Sequence, residues 1–89
     1  MKTGLEQIAE ERVKQIAQKQ YTGSHDQQHK HKELLYAALA YLNSAIYGSN
    51  VGEEDWPSNW GEFKSHGYEN DLARAGALIA AELDRIRLS

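Results

Sequence analysis

Three of the four histidines of this chain are concentrated in one short segment, together with two carboxylates. The segment is YTGSHDQQHKHKE, from Tyr21 to Glu33, and its acids are Asp26 and Glu33. Histidine and carboxylate side chains at helical spacing can bind a metal ion, hold a phosphate or transfer a proton. The segment therefore predicts a functional site, and its residue types leave these three kinds of chemistry open.

A long helix is predicted to carry this segment, because the sequence from His25 contains no helix breaker before Gly48. A rotation of 100° per residue gives this helix an apolar stripe and, beside it, a polar and aromatic flank. The flank indicates the wall of a pocket, since a solvated surface would carry Lys, Glu and Gln. Its members are His25, His29, Glu33, Tyr36, Asn43 and Tyr47.

Three interpretations of the flank remain open. In the first, His25, His29 and Glu33, with Asp26 as a further candidate, bind a divalent metal ion that activates water. In the second, the histidines hold phosphate oxygens near a helix N-terminus, where free backbone N–H groups favour anions. In the third, the same histidines are exposed and His31 is a half-buried packing residue. Cationic helpers for the second interpretation are Lys14, Lys30, Lys64 and Arg74.

Composition limits the remaining possibilities. The chain has 89 residues, a net charge of −3 and no cysteine. We expect a single helical domain over residues 1–89 whose small core favours association into a homo-oligomer. Scattered basic residues argue against binding to duplex nucleic acid. The chain lacks thiol chemistry and any apolar run of the ~20 residues that span a bilayer, so we expect no membrane partner and a cytoplasmic location.

The periodicity of the sequence predicts an all-α fold, a small bundle of three main helices with a long aromatic-rich linker. The first helix runs from about Gly4 to Gln20 behind a Thr3–Glu6 capping box, and the last from Asn70 or Asp71 to about Leu88. The predicted buried faces are Leu5, Ile8, Ala9, Arg12 and Ile16 on the first helix, Leu35, Ala38, Leu39, Leu42, Ala45 and Ile46 on the second, and Leu72, Ala75, Gly76, Ile79, Leu83 and Ile86 on the last.

The linker between the second and last helices holds both tryptophans and the only proline. Its four aromatic rings, Trp56, Trp60, Phe63 and Tyr68, can anchor irregular backbone on the helices, since each aromatic side chain buries ~150 to 250 Å². Alternatively, one or two of the rings stack on a base or sugar at the rim of a pocket. Both roles are compatible if different rings fill them.

Four segments of the chain resemble, in order and spacing, a family of short phage and prophage proteins. They are ERVKQI at 11–16, YTGSHDQQHKHKEL at 21–34, WPSNWGEFK at 56–64 and DLARAGALIAAELDRI at 71–86. The family pattern looks like ER-x-RQI, then Gly-Trp-Thr with His-Asp-Asp and Gly-Glu-Leu, then a Trp-Pro-rich segment with a Lys, then DLVKAGALIxAEIDR. This chain departs from the pattern at Gln20, Tyr21 and Gln27, and at Lys32, where the pattern has glycine.

Some members of that family are labelled MazG-like nucleotide pyrophosphohydrolases. That class resembles a helical bundle whose magnesium is held by ExxE and ExxD, because a triphosphate and its metal need about four converging carboxylates. Neither motif occurs in this sequence, although Glu11, Asp26, Glu33 and Asp71 offer an unorthodox set. The resemblance implies viral origin, and hence the cytoplasm of a host cell, more directly than it implies an activity.

Three functions follow from the residues and the resemblance together. The first is a phage-encoded nucleotide-binding protein without a cofactor, a sponge that sequesters an immune nucleotide signal. The second is a MazG-like hydrolase that uses Mg²⁺ or Mn²⁺. The third is a phage protein-interaction module without a small ligand. For a ligand site we expect the polar wall His25, His29 and Glu33, the stacking residues Tyr21, Tyr36, Trp56 and Trp60, and the phosphate contacts Arg12, Lys64 and Arg74.

Overall fold

The computed structural model describes residues 1–17, 32–48 and 50–88 of the chain. In this part the protein is all-α, as predicted, and contains no β-strand. Two short 3-10 helices lie in the linker, at Val51–Asp55 and Ser58–Trp60. None of the described helices is long and apolar enough to cross a lipid bilayer. The three α-helices are α1 (Gly4–Ala17), α2 (Glu33–Tyr47) and α3 (Tyr68–Leu88).

The predicted capping box at the start of α1 is confirmed. The Thr3 backbone N–H donates to Glu6 Oε1 at 2.9 Å, and the Glu6 N–H donates to Thr3 Oγ1 at 3.2 Å. These two bonds satisfy backbone donors that a helix start leaves open. The bond from the Thr3 backbone also lowers the pKa of Glu6, because it stabilises the carboxylate form. The predicted end of this helix, Gln20, lies outside the described residues.

The start of α2 corrects the prediction of one uninterrupted helix from His25. Lys32 has φ 62° and ψ 31°, a left-handed conformation that a right-handed helix cannot contain. The helical rotation used to align His25 and His29 with Glu33 therefore does not extend across Lys32. Glycine is the residue that adopts such a positive φ at least cost, and lysine pays for its Cβ there. Sequence reasoning treated Lys32 as an ordinary helical residue and so missed the break.

The last helix begins at Tyr68, two residues before the predicted Asn70. Asp71 is not its cap: it lies inside the first turn and is fully buried. Its carboxylate accepts a hydrogen bond from Ser65 Oγ at 2.5 Å and another from the His66 backbone N–H at 2.8 Å. Asp71 thus ties the end of the linker to the start of α3.

Helix α3 lies between the other two helices. On one side α1 runs parallel to it, because Gln7 hydrogen-bonds Glu69 near its start and Arg12 pairs with Asp84 near its end. On the other side α2 runs antiparallel, because Tyr41 lies under Arg74 while the N-terminal end of α2 approaches Glu82. The bundle is therefore a layer in which α3 is central, and the molecule measures 34 × 34 × 19 Å along its principal axes.

The interior of this layer is built mainly from alanine, which corrects the predicted buried faces. The large side chains inside are few, with Leu34 and Leu78 the largest that are fully buried apart from Asp71. Ala38 and Ala75 are buried as expected. Most large members of the predicted faces are instead exposed. They are Leu5, Ile16, Leu35, Leu39, Ile46, Leu72, Ile79, Leu83 and Ile86, with exposed fractions from 37% for Leu35 to 79% for Leu5.

The reason for the error is that two apolar stripes run side by side on α2 and on α3. One is rich in alanine and the other in leucine and isoleucine, and a helical period cannot tell which faces the interior. Small residues permit the helix backbones to approach closely, and in the structure the alanine stripes form the contact between α2 and α3. We call the surface formed by the nine exposed aliphatic side chains the open face.

The linker packs on α2 through a close approach of backbone to backbone. A Cβ atom added to Gly52 would lie 1.8 Å from the carbonyl oxygen of Ala40, so only glycine fits there. Ser44 Oγ fixes the same turn by accepting a hydrogen bond from the Gly52 N–H at 3.0 Å. The linker rings Trp56, Trp60 and Phe63 pack against the core, whereas Tyr68 is 69% exposed and is not the anchor that we expected.

Candidate functional site

Of the histidine segment from Tyr21 to Glu33, the described structure contains only Lys32 and Glu33. Tyr21, His25, Asp26 and His29 lie outside the described residues, as do Lys30 and His31. Their expected roles in a pocket wall or a metal site stay predictions. The candidates that the structure does place are Glu33, Tyr36, Trp56, Trp60, Arg12, Lys64 and Arg74.

These placed candidates do not converge on one cleft. Tyr36 and Tyr47, which share the predicted flank of α2, are 52% and 70% exposed. Lys64 is exposed in the linker, and Glu33 is half-buried at the first position of α2. The flank is therefore exposed at Tyr36 and Tyr47, whereas Asn43 is half-buried and its Nδ2 donates a hydrogen bond to Asp55 Oδ2 in the linker at 2.6 Å.

Arg12 is buried, as its position on the apolar side of α1 predicted, and it has a partner that the sequence did not suggest. Its Nη2 lies 3.0 Å from Asp84 Oδ2 and its Nε 3.3 Å from the same oxygen. A buried guanidinium needs such compensation because leaving water is costly for a charge. This pair joins α1 to the C-terminal half of α3.

Trp56 and Trp60 belong to an aromatic cluster beneath α2. The Trp56 ring meets Tyr41 edge-on at 5.5 Å, Trp60 edge-on at 5.5 Å and Phe63 at 5.1 Å. Edge-to-face contacts of this kind stabilise packed aromatic side chains. The Trp56 indole N–H is buried and has no hydrogen-bond acceptor. The cluster holds the linker on the helices.

Arg74 is the one placed candidate that lies within a buried polar cluster. Its guanidinium carbon is 5.9 Å from the centre of the Tyr41 ring, a cation–π arrangement between α3 and α2. Burial raises the pKa of Tyr41, and the hydrogen bond and positive charge of Arg74 oppose that rise. The Arg74 Nε atom is buried and has no hydrogen-bond partner.

Two polar residues of α1 face the same interior. Glu11 is 8% exposed and its negative charge acts on Tyr41, while its carboxylate lies 3.6 Å from Lys14 Nζ. Gln15, one turn further along, is 7% exposed, and its Oε1 atom is buried without a donor. Glu11, Tyr41 and Arg74 together form what we call the inner polar cluster, and Gln15 is a further buried polar residue one turn from Glu11 on α1.

From the sequence, Arg74 was expected as a phosphate contact and Glu11 as one carboxylate of a possible metal-binding set, whereas Tyr41 and Gln15 were not expected in a site. Glu11 and Gln15 carry a usable signal, because they lie four residues apart and hence on one face of a helix that also buries Arg12. Tyr41 carries no such signal, since a tyrosine among alanines and leucines is equally consistent with ordinary packing. Buried polar atoms without partners are rare in proteins, and each calls for an explanation.

A separate groove lies between the first turns of α1 and α3. It has a volume of about 180 Å³ and is lined mainly by apolar atoms. Its one carboxylate, Glu69, accepts a hydrogen bond from Gln7 at 3.0 Å. An apolar groove with a carboxylate at its edge is a poor site for an anion. The lining residues are Gly4, Gln7, Ile8, Glu69, Leu72 and Ala73.

Within residues 1–17, 32–48 and 50–88, no three His, Asp or Glu side chains lie close enough together to hold a metal ion. No protein-family model, curated protein or solved structure matches this chain.

Proposed function

We propose that this protein binds a small phosphorylated ligand of the nucleotide class and retains it without chemical change. The observation that carries the proposal is the buried, unpartnered Nε of Arg74 in the inner polar cluster. A phage-encoded sponge for an immune nucleotide signal, by analogy with small phage proteins that hold such signals intact, is the biological form of this proposal.

Arg74 is prepared for an anion in two respects. Its guanidinium is held over the Tyr41 ring, which reduces the freedom that it loses on binding. Its free Nε–H is a charged donor, and hydrogen bonds from arginine to phosphate oxygens are about twice as strong as neutral ones. A phosphate oxygen would remove the cost of a buried donor that has no acceptor.

Gln15 supplies a complementary group. Its buried Oε1 is an acceptor without a donor, and the exocyclic amino group of a nucleobase is a donor of the required kind. Gln15 lies two residues before the end of α1 at Ala17. The chain that follows contains His25, Asp26 and His29, the expected polar wall, whose contribution stays a prediction.

Ligand capture tests the proposal directly. Purified protein is mixed with cyclic dinucleotides, cyclic ADP-ribose isomers and nucleoside triphosphates, each with and without Mg²⁺ or Mn²⁺. Liquid chromatography then measures the filtrate and the fraction released by heat. We expect one class of ligand to leave the filtrate and to return intact on heating.

A matched pair of variants assigns the contact to Arg74. Arg74→Met keeps the aliphatic stem over Tyr41 and removes the guanidinium, whereas Arg87→Met makes the same change at an exposed position of α3. We expect Arg74→Met to weaken binding about 10- to 100-fold, the range for a lost hydrogen bond to a charged group. Arg87→Met should bind like the natural chain, and both variants should keep its helical circular dichroism.

A third variant, His29→Ala, tests the predicted polar wall. It should abolish ligand retention with the fold unchanged. Metal-dependent release of a monophosphate or another product would replace the proposal with the MazG-like hydrolase. A panel left wholly untouched would contradict both and favour the protein-interaction module.

A further inference from the structure

The open face lies on one side of the helical layer. A rotation of 100° per residue places Ile79 and Leu83 of α3 between Leu78, which is buried, and Gly76, which Ile8 of α1 covers. Helices α2 and α3 are antiparallel. Residues that are displaced from the contact line by the same rotation about each helix axis therefore lie on the same side of the layer on both helices. On α2 this rotation reaches Leu35 and Leu39.

On the opposite side of the layer the linker packs against α2. On α2, Ala40 and Ser44 contact the linker turn at Gly52. Viewed along the helix axis, these two residues lie on one side of Leu34, and the exposed leucines lie on the other side. Viewed along the axis of α1, Leu5 and Ile16 lie on one side of Ile8 and Glu11 lies on the other. The charge of Glu11 acts on Tyr41. Each helix therefore presents large aliphatic side chains on the side away from the linker, and polar or small ones towards it.

The amount of exposed apolar surface is that of an interface. The exposed fractions of the nine residues of the open face add up to roughly four and a half fully exposed residues, an area on the order of 800 Å². One partner contributes about this area to a standard protein interface. A typical monomer exposes patches of about 300 to 600 Å². A chain of 89 residues with so few large side chains in its core gains the most from covering this surface.

The charges of α3 identify a second copy as the occupant. At the surface of α3, the first turn carries the exposed Glu69 and the last turn carries the exposed Arg87, whereas Asp71 is buried and Arg85 is paired with Glu82. The stripe between these two turns, Leu72, Ile79, Leu83 and Ile86, has no charged residue and follows the alternating three- and four-residue spacing of packed helices once Gly76 is included. An antiparallel copy of α3 sets each acidic end beside a basic end and each aliphatic stripe against the other.

We propose that the open face is the interface of a homodimer, in which α3 packs antiparallel on α3 of a second copy about a twofold axis near Ile79. Such an interface is isologous, because one patch serves both subunits. Two layers of helices then enclose a common aliphatic core, and the two linkers lie on the outer sides. The proposal does not depend on a bound ligand.

Sedimentation velocity of a matched pair of variants tests the interface. Ile79→Glu places a charge at the proposed axis, and Val51→Glu makes the same kind of change in the linker, at a residue of similar exposure, 48% against 43%. We expect the natural chain and Val51→Glu to sediment as dimers of a 10.1 kDa chain. Ile79→Glu should dissociate at least about 30-fold more readily, as expected for a residue at the centre of an interface.

A cross-linking experiment keeps the proposal testable if Ile79→Glu fails to fold. The chain has no cysteine, so Ile79→Cys and Val51→Cys each introduce a single thiol. With a short bis-maleimide reagent at low micromolar concentration, Ile79→Cys should form a covalent dimer at least tenfold faster than Val51→Cys. Equal rates, a monomeric natural chain, or a natural chain that forms larger rings would each overturn the twofold dimer.

Discussion

The two sides of the helical layer differ in the size of their side chains and in what covers them. On the side of the linker, alanines bring the helices close together, glycine lets the linker touch the α2 backbone, and Tyr41, Trp56 and Phe63 fill the remaining space. On the open face, leucines and isoleucines of all three helices remain between 37% and 79% exposed. On these helices, most of the larger aliphatic side chains therefore lie at the surface.

This difference indicates how the stability of the chain is divided. The side that faces the linker, which we call the closed side, supplies tight packing and directed hydrogen bonds, but little aliphatic volume. The open face holds aliphatic area that stabilises the protein only once something covers it, at roughly 25 cal/mol per Å² of apolar surface removed from water. The closed side therefore defines the shape of the protomer, and the open face links its stability to association.

The largest expected effect is a difference in stability between variants of two neighbouring residues of α3. Leu78 is 1% exposed and Ile79 is 43% exposed. Leu78→Ala should lower the free energy of unfolding by about 2 to 5 kcal/mol, because it leaves a cavity in the core. At a dilution where the chain is monomeric, Ile79→Ala should cost less than about 1 kcal/mol. Urea denaturation of both variants measures the difference, and equal losses would contradict the division into two sides.

A somewhat smaller effect is expected where the linker meets α2. Gly52→Ala forces a Cβ into the Ala40 carbonyl, and we expect a loss of about 1 to 3 kcal/mol as the linker shifts. The control is Gly4→Ala, where nothing lies within 4 Å of the new Cβ. Tryptophan fluorescence should shift to the red in Gly52→Ala alone, since Trp56 and Trp60 lie in the linker. An unshifted spectrum would mean that the linker does not depend on this contact.

The smallest effect has the opposite sign. Lys32 adopts a left-handed conformation that costs roughly 1 kcal/mol or more for a residue with a Cβ. Lys32→Gly should therefore raise the free energy of unfolding by about 0.5 to 1 kcal/mol and leave both faces in place. Lys32→Ala, which keeps the Cβ, should give no such gain. Thermal denaturation followed by circular dichroism compares the two variants.

The sequence predicted the helices better than the faces that they bury. The capping box at Thr3, the breaker at Gly48 and the apolar periodicity are local signals, and they located α1, the end of α2 and most of α3. Burial is a property of the whole packed layer, so two parallel apolar stripes could not be ranked from sequence. The break at Lys32 was missed because lysine has no preference for positive φ.

For the candidate site, sequence reasoning found residue types but not their arrangement. It singled out Arg74, which the structure places over Tyr41, and it placed Arg12 on the buried face of α1, where Asp84 pairs with it. It named Glu11 only as a carboxylate of a possible metal-binding set and missed Gln15, because the burial of side chains on α1 depends on helices that are distant in sequence. Only the packing of α1 against α3 brings the inner polar cluster together.

The most direct test of the account is the dependence of unfolding on protein concentration. If covering the open face with a second copy stabilises the fold, a hundredfold dilution of the natural chain should lower its apparent free energy of unfolding by about 2.7 kcal/mol per mole of dimer, or about 1.4 kcal/mol per chain. The midpoint of urea denaturation would then fall on dilution for the natural chain and for Val51→Glu, but not for Ile79→Glu. A midpoint of the natural chain that is unchanged by dilution would contradict the claim that the open face is an interface.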